Sequence, residues 1–88
     1  MKKQVTLGID IGGTNTAFGF IDYDGNYYAE GNVLTNKHED INDYLKELHL
    51  EIEKTLNTIR DRVELVGIGI GAPNGNYYKG SIEYAVNL

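Results

Sequence analysis

The sequence predicts an α/β fold: a three-stranded antiparallel meander, one crossover helix, and a further strand running parallel to the first. Three observations predict it. Apolar and polar residues alternate over residues 5–11, 14–21 and 27–34, the period of half-buried strands. Between residues 41 and 59 the apolar spacing changes to steps of three and four, the period of a helix. Residues 65–71 then return to a strand-like run of Ile, Val, Leu and Gly.

Each element follows from its residues. Val5, Leu7, Ile9 and Ile11 alternate with Thr6, Gly8 and Asp10, and Gly12-Gly13 breaks the run. The second strand is expected over residues 14–21. Asp24-Gly25 is a strong hairpin signal, and the third strand is expected over 27–34. Ile41, Tyr44, Leu45, Leu48, Ile52, Leu56 and Ile59 form one face of a helix reaching to about Arg60. Asp40 is the expected N-cap, Asp43 suits the positive end of the helix, and Arg60 and Arg62 suit the other end. Residues 65–71, rich in Ile and Val, are expected as a buried central strand. Ala72-Pro73-Asn74-Gly75 reads as a loop, and Tyr77-Tyr78 with Ile82-Glu83-Tyr84 as a small C-terminal hairpin. A doubly wound dinucleotide-binding fold would alternate strand and helix from the start, which this order does not. Gly67, Gly69 and Ala72 fit G-x-G-x-x-A formally, but Pro73 stands where the helix of that motif should begin.

The 88 residues make one domain, 1–88, and a chain of this size buries only about 60–65% of its unfolded surface. Its 41% hydrophobic and 24% charged residues are those of a globular chain rather than a disordered one. The net charge of −5 argues against nucleic acid and anionic membranes as partners, since both require a basic face. It leaves ATP open, because backbone N–H groups and a metal ion can hold phosphate without a basic patch. With no cysteine the chain has neither disulfides nor cysteine–zinc sites, which fits a reducing cytoplasm. The apolar run after Met1-Lys2-Lys3-Gln4 is interrupted at Asp10 and too short for a signal peptide or a membrane span. His38 and His49 are expected at solvent or on a helix flank rather than on a metal. The tyrosines read as strand residues with exposed hydroxyls.

The residues that carry chemistry are Asp10-Ile11-Gly12-Gly13-Thr14-Asn15. Two adjacent glycines allow positive φ and leave no side chain in the way of a ligand. Successive N–H groups can then face an anion, and Thr14 adds a hydroxyl donor. Asp10, at the strand end, can hold a hydrated Mg²⁺ opposite that anion. These are the parts phosphoryl transfer needs. A plain Gly-Gly hairpin would explain the glycines but neither Asp10 nor Thr14.

At these residues the sequence resembles a known family. Gly8-Ile9-Asp10-Ile11-Gly12-Gly13-Thr14-Asn15 is similar to the first phosphate motif of the actin-like ATPase (ribonuclease H-like) superfamily. In particular it looks like the ROK family of repressors, open reading frames and sugar kinases, with its bacterial glucokinases. Gly67-Ile68-Gly69-Ile70-Gly71-Ala72-Pro73 is similar to the family strand that ends in a Gly-x-Pro loop. Ala85-Val86-Asn87-Leu88 is similar to the family's Asn-Leu stretch. The resemblance spans essentially the whole chain. It implies an N-terminal subdomain of an ATP-dependent kinase that phosphorylates a hexose hydroxyl, glucose being the first guess. Asp10 would approach Mg²⁺ through water. Gly12, Gly13, Thr14 and Asn15 would face the ATP phosphates, Ala72 and Pro73 would lie along the sugar, and Asn87 would bond a sugar hydroxyl. The family's catalytic aspartate, its zinc ligands and its adenosine pocket are expected beyond Leu88, so no residue here is assigned as the base.

The resemblance leaves rivals. A sugar-responsive regulator of the same family would carry a DNA-binding segment ahead of the motif, and the nine residues before Asp10 leave no room for one. A non-catalytic nucleotide- or sugar-binding module is the other. As part of a larger fold the chain is expected to expose sheet edge and to form homo-oligomers.

Overall fold

The computed structural model describes residues 2–71. The loop expected at 72–75 and the hairpin expected over 77–84 lie outside them. The order is β1 (Lys3–Ile11), β2 (Asn15–Asp22), β3 (Tyr27–Leu34), α1 (Ile41–Asn57) and β4 (Val63–Gly71). The strands form one mixed sheet in the order β3-β2-β1-β4. β1 and β2 pair antiparallel, as do β2 and β3, while β4 runs parallel to β1. The α/β meander, helix and parallel return expected from the sequence are therefore present. No helix among the described residues is long and apolar enough to cross a membrane.

Alternation decides which side of the sheet is covered. Val5 and Leu7 of β1, Phe18 and Phe20 of β2 and Val33 of β3 share one face and are buried. The Phe18 and Phe20 rings meet edge to face at 6.4 Å, a favoured aromatic geometry. Helix α1 lays Tyr44, Leu48 and Leu56 on this face, with Ile52 packed against it. Ile59 and Val63, which follow the C-terminal end of the helix, complete the same cluster. Truncating such a buried side chain to Ala costs about 2–5 kcal/mol.

The helix starts where the sequence placed it. Asp40 is extended and its carboxylate accepts the Asn42 N–H at 2.9 Å. A cap of this kind contributes about 1 kcal/mol. The C-terminal end differs from expectation: α1 stops at Asn57, and Thr58 caps it with its hydroxyl donated to the Thr55 carbonyl at 2.7 Å. Ile59 is buried from the turn that follows, held by bonds from Arg62 N and Val63 N to its carbonyl. The buried stripe is also narrower than expected. Ile41 and Leu45 are 64% and 50% exposed. Leu45 lies about 100° round the helix from Tyr44, and the stripe of four-residue steps through Tyr44, Leu48, Ile52 and Leu56 faces the sheet instead.

The last strand is the other correction. β1, not β4, is flanked on both sides, and β4 forms an edge of the described sheet. Leu65, Val66 and Ile68 are substantially exposed there. A run of Ile and Val reads the same whether both faces are covered or neither is, and α1 packs chiefly toward the β3 side of the sheet.

Candidate functional site

Asp10 lies one residue before the end of β1, opposite Ala17 on β2 and Gly71 on β4. The pleat turns it away from the core, onto the face that Thr6 and Gly8 share. Its neighbours across both strands are therefore a methyl group and a glycine, which leave the space above the carboxylate open. Asp10 is exposed, and no salt bridge among the described residues engages it.

The turn that follows is closed by one bond, from Gly12 N to Asn15 O at 3.0 Å. Gly13 and Thr14 form its exposed tip. Neither glycine takes a positive φ, so the conformational reason expected for the pair does not hold. Gly12 is needed for a different reason: a Cβ there would stand 2.8 Å from the Asn15 carbonyl oxygen. Gly13 is not needed by the turn, since a Cβ there would meet nothing within 4 Å.

The donors divide accordingly. The Gly12 N–H is spent on closing the turn, while the Gly13 and Thr14 N–H groups donate to no carbonyl among the described residues. The Thr14 side chain is exposed beside them. Asn15 opens β2, opposite Leu34 of β3. Ala72, Pro73 and Asn87, assigned to the sugar by resemblance, lie outside the described residues.

The turn is held from behind. The Thr35 N–H donates to the Thr14 carbonyl at 2.9 Å. Thr35 Oγ1 lies 2.6 Å from Thr16 Oγ1, which lies 2.7 Å from Tyr44 Oη. The loop from β3 to α1 that contains Thr35 is itself fastened to the helix. His38 Nε2 meets Glu47 Oε1 at 2.6 Å, with Lys37 Nζ at 3.5 Å from the other oxygen. The His38 hydrogen bond holds the Glu47 carboxyl below its ordinary value, against the opposing effect of burial.

Sequence reasoning missed Thr16, Thr35 and Tyr44 as a group. One signal was present: Thr16 falls in the phase of Phe18 and Phe20, which puts a hydroxyl on the apolar face. Asp22 falls in that same phase and was missed too. Its carboxylate accepts four bonds, from the Asp24 and Asn26 amides, the Asn26 side chain and the Tyr28 hydroxyl.

Chemically, two free amides and a hydroxyl at a small tip suit an anion, and a carboxylate one strand-end away suits a cation facing it. Among the described residues no three His, Asp or Glu side chains gather around a common point. A single carboxylate still fits Mg²⁺, which keeps several waters and takes further ligands from phosphate oxygens. It would not fit zinc, which takes three or four protein ligands. No family model matches the chain, and no curated protein matches it.

Proposed function

We propose that the turn after β1 holds the phosphates of Mg·ATP, and that the chain is the N-terminal part of an ATP-dependent sugar kinase of the ROK type. The observation that supports this most is the pair of uncommitted N–H groups at Gly13 and Thr14, beside a carboxylate that no described residue neutralises. The resemblance of residues 8–15 to the phosphate motif of that family supports the same reading.

In this reading Gly13, Thr14 and the Thr14 hydroxyl face the phosphate oxygens, with Gly12 and Asn15 framing them. Asp10 holds Mg²⁺ through water, and the ion supplies charge neutralisation as negative charge shifts during transfer to a hexose hydroxyl, glucose being the first candidate. The bare tip lets the phosphate approach the backbone closely. Ala72, Pro73 and Asn87 contribute to the sugar side. An ATP-using enzyme without cysteine fits the cytoplasm.

Amide NMR of the 88-residue chain tests the reading. Titration with Mg·ATP is expected to shift the Gly13 and Thr14 resonances first, and Asp10→Asn is expected to remove the Mg²⁺ dependence of that shift. No change at the turn with millimolar Mg·ATP, or changes confined to another part of the sheet, would overturn it.

A further inference from the structure

The core face of β2 ends in a polar residue where an apolar one would pack as well. Thr16 is fully buried, in line with Phe18 and Phe20. A valine has nearly the same shape and needs no partner, whereas a buried hydroxyl is costly unless it is bonded. Thr16 is bonded twice, to Tyr44 Oη at 2.7 Å and Thr35 Oγ1 at 2.6 Å. Each hydroxyl has one proton to give and two lone pairs, so Thr16 donates at most one of these bonds and accepts at least one. The three oxygens thus form one connected hydrogen-bonded network.

This network ends at the turn. Thr35 carries the N–H that donates to the Thr14 carbonyl at 2.9 Å, and among the described residues that is the bond reaching the tip from outside its own hairpin. The Thr14 carbonyl shares a rigid peptide plane with the Asn15 N–H, so fixing one fixes the direction of the other. At the opposite end of the network, Tyr44 sits in the first turn of α1, where the Asp40 cap sets the helix start.

We infer that Tyr44, Thr16 and Thr35 are positioning residues that hold the 12–15 turn in its phosphate-accepting geometry from the start of α1. The inference rests on the reading of that turn as a phosphate site. The network leaves the tip amides free and restrains only the carbonyl behind them, so it removes motion from the site without occupying its donors. Preorganisation of this kind strengthens binding by lowering the entropy lost when the ligand arrives. It also ties the turn to α1, so a displacement of the helix start is felt at Thr14.

The test compares variants that separate packing from hydroxyl chemistry. Thr16→Val/Tyr44→Phe removes both buried partners while keeping shape, a change that is often close to neutral for stability. It is expected to weaken Mg·ATP binding by about three- to tenfold, the equivalent of one neutral hydrogen bond. It should also speed hydrogen exchange at the Gly12 and Thr35 amides, which donate to the Asn15 and Thr14 carbonyls, more than at residues in the middle of the strands. Thr16→Ser with Tyr44 retained keeps the hydroxyl and is expected to restore both. Unchanged affinity and unchanged exchange at the turn in the folded double variant would overturn the inference. If the wild-type chain binds no Mg·ATP, the phosphate reading fails by itself, and exchange decides the tether: selective loosening of the turn upholds it and uniform exchange refutes it. If the double variant does not fold, Thr16→Val alone, measured against Thr16→Ser, gives the same two readouts.

Discussion

The hairpin from β2 to β3 and the hairpin from β1 to β2 leave opposite ends of the same strand, and each has a buried polar residue behind it. At the first, Asp22 gathers the Asp24 and Asn26 amides, the Asn26 side chain and the Tyr28 hydroxyl onto one carboxylate. Gly25 takes the positive φ, 90°, that the turn requires. The Asp24, Gly25 and Asn26 amides all donate within that turn. At the second, Thr16 gathers other side chains behind the turn, and the tip keeps two amides and a hydroxyl unspent. A turn that satisfies its own donors is finished as a structure. One that is braced from behind and left open in front keeps donors that a ligand could use.

The largest effect expected from breaking this contrast is on catalysis. In the sugar kinase that the chain is proposed to begin, Asp10→Ala should lower kcat by about a hundredfold or more while sugar affinity changes little. In that kinase the metal and phosphate would matter most at the transition state, whereas the sugar would be held elsewhere. Steady-state kinetics beside sugar calorimetry measures both, and an unchanged kcat would reduce residues 10–15 to a hairpin.

The next effect is on folding and comes from the other hairpin. Asp22→Ala strips four bonds at once and is expected to lower the melting temperature markedly without altering Mg·ATP binding. The Asn26 amide is the main influence holding the Asp22 carboxyl below its ordinary value, with burial opposing it. A carboxyl that titrates lower folded than unfolded contributes stability in full above its unfolded pKa of about 4, and that contribution is lost as pH falls through the folded value. Wild type should therefore lose stability below about pH 4, and the part due to Asp22 should be missing from the variant. Parallel acid-unfolding curves for the two chains would show that the carboxylate is not what closes this turn.

Much of this was legible in the sequence, and the exceptions have one cause. The strands, the Asp24-Gly25 turn and the Asp40 cap were legible because each depends on neighbours a few residues away. Asp10, Gly13 and Thr14 were legible as a candidate site because their types match a chemical need. Thr16, Thr35 and Tyr44 were not, since they meet only after a hairpin and a helix have brought residues 19 and 28 positions apart together. The edge placement of β4 in the described sheet and the exposure of Leu45 escaped for the same reason: the first depends on strand order and the second on where α1 lies across the sheet, and periodicity encodes neither.

The smallest effects sharpen the contrast within a single turn. Gly12 and Gly13 look equivalent in the sequence, but the fold needs only the first. A methyl at Gly12 would press on the Asn15 carbonyl, a backbone atom in the closing bond that cannot swing away. Gly12→Ala is therefore expected to cost about 1–3 kcal/mol, as overpacking does. At Gly13 a methyl would enter open space, and the backbone there has no positive φ to resist it. Gly13→Ala should change stability by no more than about 0.5 kcal/mol, with a slight gain available from the smaller freedom of the unfolded chain. Its effect should fall on the ligand instead, because the methyl stands on the exposed tip where phosphate must approach the amides. Urea unfolding of both variants measures the first difference, and amide shifts with Mg·ATP measure the second. If Gly13→Ala destabilises the chain as much as Gly12→Ala, the second glycine is a demand of the fold, and the bare tip no longer argues for a ligand.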